Sequence, residues 1–262
     1  MNTIIKNLVS LASDGAFASE TAILPMSAFK WGVLYKIAIA EDVAPYVYRG
    51  LLRHEDDKAA NIPQGVLALF AKAQFSDIDH IDAELDITAT DTQRLTYVVK
   101  KYQLKDIVYK ERHSIDTSKT SLDLLALILQ NTDVIFRNGI RLRGIVELGV
   151  FLRTKGQYVD FVKIEQWLKK LKLRRMATLQ ASVLISCFAF EEDEFPYCRK
   201  TDKKAEKFAT HALMKEYVRN KYERRAGRYN ISNCFRFRKY SRSESLSKAV
   251  STVMRSLSEI EE

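Results

Sequence analysis

Apolar residues recur along this chain at spacings of three and four, and the elements they predict are helices. Ile4, Ile5, Leu8, Val9 and Leu11 form one side of a first helix over residues 3–12. A second runs over 27–40, with Ser27 as its expected N-cap and the stripe Phe29, Val33 and Ile37, broadened by Trp31, Leu34 and Tyr35. The segment 43–52, VAPYVYRGLL, precedes a polar break at 54–58. From Pro63 a long helix is expected, carrying Val66, Leu67, Phe70, Phe75, Ile78, Ile81 and Leu85. Further helices are expected at 91–110, 121–136, 140–154, 160–171 and 174–190, with Asn138-Gly139 and Lys155-Gly156 as stops. A helix over 244–262 carries Leu246, Val250, Val253, Met254, Leu257 and Ile260, a stripe that either closes the core or docks a partner.

Composition supports the same picture. Nine Gly and four Pro among 262 residues are far fewer than the roughly 12% of an average protein, so turns are scarce. The expected fold is all-α, a multi-helix, bundle-like single domain over 1–262. Charge divides it: residues 1–136 hold 14 Lys and Arg against 18 Asp and Glu, leaving 28 against 15 for 137–262. An acidic half and a basic half can attract each other within the molecule, or the basic half can face phosphates. No run reaches the roughly 18 apolar residues that a membrane span requires. Three cysteines, Cys187, Cys198 and Cys234, without CxxC or Cys/His spacing, read as reduced thiols, and the expected location is cytoplasmic.

One stretch, 138–196, carries a more specific pattern. Gly139, Ile140, Leu142, Arg143, Glu147 and Leu152 are followed by Asp160-Phe161, then Leu168, Leu171 and Leu173, and finally by EEDEFP at 191–196. This order resembles the C-terminal helical part of a bacterial nucleotidyltransferase-like family, with Glu147 where the family has Asp and Phe161 where it has Trp. The helix of Trp31 and the segment after it resemble the family's N-terminal region. The resemblance implies helical flanks that help to hold an acceptor beside a core that moves a nucleotide from a nucleoside triphosphate with Mg²⁺. The Gly-Ser phosphate loop of that core has no counterpart here, because Gly65 is followed by Val66. The reading that follows is a non-catalytic relative, acting as a helical binding or adaptor protein through its helical surfaces.

An enzymatic alternative rests on Asp77 and Asp79. Carboxylates on alternate residues of a strand point the same way and can share Mg²⁺. The apolar positions around them follow a helical period, however, on which the two residues point about 200° apart. They are the only catalytic and metal candidates, and Mg²⁺ is expected only if they converge; otherwise no cofactor is expected. His54, His80, His113 and His211 are scattered, and no Walker A, G-x-S-x-G or G-x-G-x-x-G pattern occurs.

The second alternative is nucleic-acid or nucleotide binding by the basic half. Lys169, Lys170, Lys172, Arg174 and Arg175 cluster where one predicted helix ends and the next begins. Between 199 and 239 there are 14 Lys and Arg against four acids, including Arg224, Arg225, Arg236 and Arg238. Tyr217, Tyr222, Tyr229, Phe235, Phe237 and Tyr240 are interleaved with them or follow directly. Cations that displace counterions from phosphates, beside rings that stack on bases, suit a single-stranded nucleic acid. The bland alternative is a solvated basic face, with Ala205, Phe208, Ala212, Leu213 and Tyr217 turned inward.

Overall fold

In a computed structural model, which describes residues 2–57, 59–74, 98–219 and 232–250, the chain is all-α, with no strand among the described residues. The helices are α1 (Thr3–Phe17), α2 (Ala28–Ala40), α3 (Ala44–Arg53), α4 (Gln64–Gln74), α5 (Val98–Arg112), α6 (Lys119–Asn138), α7 (Leu142–Lys155), α8 (Phe161–Lys170), α9 (Arg174–Phe188) and α10 (Ala205–Arg219). Short 3₁₀ turns occupy Gly156–Tyr158 and Glu192–Glu194, and the backbone is helical again at 232–236 and 242–250. No helix among the described residues is long and apolar enough to cross a membrane.

The core forms where the apolar stripes meet. Trp31, Phe70, Phe136, Phe188, Phe195 and Phe237 are buried in one hydrophobic cluster that draws on residues from Ile4 to Tyr240. α1 and α3 cross at glycines: a Cβ on Gly15 would stand 1.8 Å from the Tyr46 carbonyl oxygen, and one on Gly50 2.1 Å from that of Leu11. The loop after α1 is pinned by its own helix. Asn7 donates to the Leu24 carbonyl at 2.7 Å and accepts from its N–H at 3.0 Å, while buried Asp14 accepts from Thr21 and meets His54 Nε2 at 2.8 Å.

Element boundaries follow local chemistry. α1 runs to Phe17, five residues past the expected end, and stops at left-handed Ala18. Ser27 occupies the N-cap position of α2 but makes no side-chain capping bond, and Phe29 is 74% exposed, so the inward face is that of Trp31, Val33, Leu34 and Ile37. Asp160 does cap α8, accepting from the N–H groups of Val162 and Lys163. Gly139 ends α6 with φ 90°, whereas Gly156 stays right-handed and leads into a 3₁₀ turn. The stripe expected beyond α4, with Asp77 and Asp79, lies outside the described residues.

The two charge halves meet at a defined seam. Glu41, 2% exposed, accepts from the Leu142 N–H at 2.8 Å and from Arg141 at 3.1 Å. Arg143 bridges Asp42 at 2.5 Å and Glu147 at 2.7 Å. Carboxylates at the end of α2 thereby position the start of α7.

Candidate phosphate-binding site

The corner between α8 and α9 concentrates charge for a structural reason. Leu171 and Leu173 are fully buried, so the alternation leaves Lys172 outside. The Leu173 N–H reaches the Leu168 carbonyl at 2.9 Å and the Lys172 N–H that of Lys169 at 3.1 Å. These are the paired bonds of a Schellman motif, whose left-handed position usually holds glycine. Here it holds Lys172, at φ 53°. α9 then begins without a side-chain cap, since Leu173 occupies its N-cap position.

A second segment closes against this corner. Phe237 and Tyr240 are buried, and the Tyr240 hydroxyl donates to Asp202. Burial would raise the Asp202 carboxyl, but that hydrogen bond, the Lys204 N–H and nearby Lys239 hold it below the usual range. The Lys239 carbonyl accepts from Arg175 at 3.3 Å. Between corner and segment lies a hollow of about 290 Å³ lined by Leu168, Lys169, Lys172, Arg174, Arg175, Lys239, Tyr240, Ser241 and Arg242. Six of these nine residues are basic and none is acidic.

Ion pairing separates the lining cations into two sets. Arg174 is held by Glu165 at 2.8 Å and Lys239 by Asp202 at 3.6 Å. Lys169, Lys172, Arg175 and Arg242 have no carboxylate within ion-pair distance among the described residues. Uncompensated cations around one concavity raise the local concentration of anions.

Behind the hollow lies a buried polar group. Lys100 of α5, 1% exposed, donates to Ser241 Oγ at 2.6 Å. Burial lowers its ammonium to about 8, with Glu244 opposing the shift and Lys172 and Lys248 adding to it. Lys248 is in turn paired with Asp133 of α6.

Of the residues singled out in the sequence, Lys169, Lys172, Arg174 and Arg175 come together here. Lys170 does not: it turns to Asp106 of α5 at 2.5 Å. Arg236 faces His211 at 3.3 Å and Arg238 is not part of the lining. Arg224 and Arg225 lie outside the described residues, as do Tyr222 and Tyr229. Phe237 and Tyr240 are core rings rather than stacking platforms, while Phe235 is 59% exposed. Sequence reasoning missed Ser241 and Arg242, whose signal was only the continuation of the basic run past Lys239. Among the described residues, no group of three or more His, Cys, Asp or Glu side chains is placed to hold a metal.

Comparison with protein-family models, with curated proteins and with solved structures finds no match.

Proposed function

We propose that the chain binds the phosphates of single-stranded nucleic acid through this hollow. The observation that supports the reading is the convergence of six cations from two distant segments on one concavity without an acidic wall. With Phe237 and Tyr240 committed to the core, affinity comes from phosphate contacts, and the binding is insensitive to base sequence. The test is fluorescence anisotropy of a labelled single-stranded oligonucleotide across a salt series. The expected slope of log K against log salt is between about −2 and −4, for roughly three to six phosphates engaged. Lys172→Glu and Arg242→Glu flatten that slope. Salt-independent binding, or variants that bind like the wild type, would overturn the reading.

A second reading has its own support, a protein-docking surface as expected of an adaptor related to nucleotidyltransferases. The helix at 242–250 turns Glu244, Ser245 and Lys248 inward and leaves Leu246 46% and Val250 61% exposed. An apolar stripe on the outside of a helix with a polar interior suits a partner groove. Leu246→Glu with Val250→Glu would then abolish association seen by analytical ultracentrifugation or co-purification, while oligonucleotide binding is retained.

A further inference from the structure

We propose that the hollow receives a terminal phosphate monoester, with the Ser241 hydroxyl as its innermost donor and Lys100 setting that hydroxyl's direction. The proposal rests on the reading of the hollow as a phosphate site and specifies which phosphate it takes.

Ser241 is 5% exposed and forms part of the lining. Its oxygen accepts from Lys100 Nζ at 2.6 Å, and an ammonium group has donors only, so the hydroxyl cannot return a proton to it. The hydroxyl hydrogen has no other partner among the described residues. It is a nearly buried donor, satisfied on its acceptor side and open to the hollow. An unmatched donor of this kind calls for an acceptor.

The number of donors decides between kinds of phosphate. An internal diester offers two unesterified oxygens and one negative charge. A terminal monoester offers three such oxygens and a charge of about −1.5 to −2 at neutral pH. Donors reach the hollow from the α8–α9 corner, as Lys169, Lys172, Arg174 and Arg175, and from the facing segment, as Arg242 with the Ser241 hydroxyl. Three free oxygens and up to two negative charges match more of these donors and cations at once than the two free oxygens and single charge of a diester. The chain ends of nucleic acids, and mononucleotides, carry the matching group.

Among the described residues, the charged groups around Lys100 are Glu244 and Lys248 from the helix at 242–250 and Lys172 from the α8–α9 corner, with Asp133 of α6 holding Lys248. While Lys100 carries its proton, Ser241 is held as a donor toward the hollow. Once Lys100 is neutral, its lone pair can accept the hydroxyl hydrogen and draw the donor inward. Preference for a monoester end therefore weakens as pH rises through about 8.

The experiment compares a 5′-phosphorylated oligonucleotide with its 5′-hydroxyl counterpart of the same sequence, by anisotropy at pH 7 and pH 9. The phosphate is mostly a dianion at pH 7 and wholly so at pH 9, so its own charge does not fall over this range. The expected result for the wild type is about tenfold tighter binding of the phosphorylated oligonucleotide at pH 7, the worth of one charge-assisted hydrogen bond, and a smaller ratio at pH 9. Ser241→Ala reduces the ratio at pH 7. The wild-type pH series stands by itself should that variant fold poorly. Equal binding of both oligonucleotides at both pH values overturns end recognition and leaves the phosphate reading intact. A ratio unchanged in folded Ser241→Ala overturns it too, because the gain is then bulk charge alone. If neither oligonucleotide binds, both readings fall.

Discussion

At the scale of single residues, Lys172 and Lys100 stand where local rules favour something else. Lys172 occupies a left-handed position at φ 53° that glycine fills without strain. A non-glycine residue there costs on the order of 1 kcal/mol. Lys172→Gly is expected to raise stability by about that amount in chemical denaturation, while lowering oligonucleotide affinity at low salt; a variant that loses both would show that the side chain has a packing role instead. Asp42, at φ 61°, holds the equivalent position after α2 and spends its charge on Arg143. Lys100 gives a prediction with a definite sign. Its ammonium titrates near 8 in the fold and near about 10.4 in an unfolded chain. Between those values the unfolded state holds more protons, so this residue's contribution to stability becomes more favourable as pH rises. Relative to Lys100→Met, the wild type should gain on the order of 2–3 kcal/mol between pH 7.5 and pH 10.5, read from paired urea titrations.

At the scale of elements, the tightest join is the glycine crossing of α1 and α3. Gly50→Ala must push Leu11's backbone away and is expected to cost about 3 kcal/mol, the upper end of ordinary overpacking. Gly32→Ala in α2 meets nothing within 4 Å and should stabilise by roughly 0.5–1 kcal/mol, which makes it the control. The elements themselves were largely legible in the sequence, because most helices carry their own apolar stripe: Gly139 ends α6 as expected and α8 starts at the expected place, where Asp160 turns out to be its cap, whereas α1 overran an end that no residue marked. Phe29 was misread, since period alone cannot say which apolar side of an almost wholly apolar helix faces inward. The residues of the family-like pattern also have visible structural tasks. Arg143 joins Glu147 to Asp42, Glu191 and Glu194 make a reciprocal capping box, and Leu168, Leu171 and Leu173 fill the core.

At the scale of the whole molecule, the legible and the hidden parts of the candidate site divide by sequence separation. The half made by Lys169, Lys172, Arg174 and Arg175 is contiguous in the chain and shows as a run of cations. The other half appears only on folding: Arg175 meets the Lys239 carbonyl 64 residues away, and Lys100 meets Ser241 141 residues away. No periodicity reports such pairings. The seam of Glu41 and Asp42 with Arg141 and Arg143, roughly 100 residues apart, was foreshadowed only as a difference in charge between halves. Glu41→Gln removes the anion that Arg141 and the Leu142 N–H share, and an expected loss of about 2 kcal/mol would be read as a lower midpoint in denaturant titration.

The hollow also bears on how the empty protein behaves in a test tube. Its cations repel one another across the gap, a cost that the Arg175 bond to the Lys239 carbonyl and the Tyr240 bond to Asp202 offset. A small multivalent anion would act as mortar, and mass action converts its binding into added thermal resistance. Sulfate and phosphate strengthen burial in any folded protein, so the expected sign of binding here is a rise in melting temperature over chloride of equal ionic strength that is larger in the wild type than in Arg242→Glu, and the choice of storage salt becomes part of handling this protein.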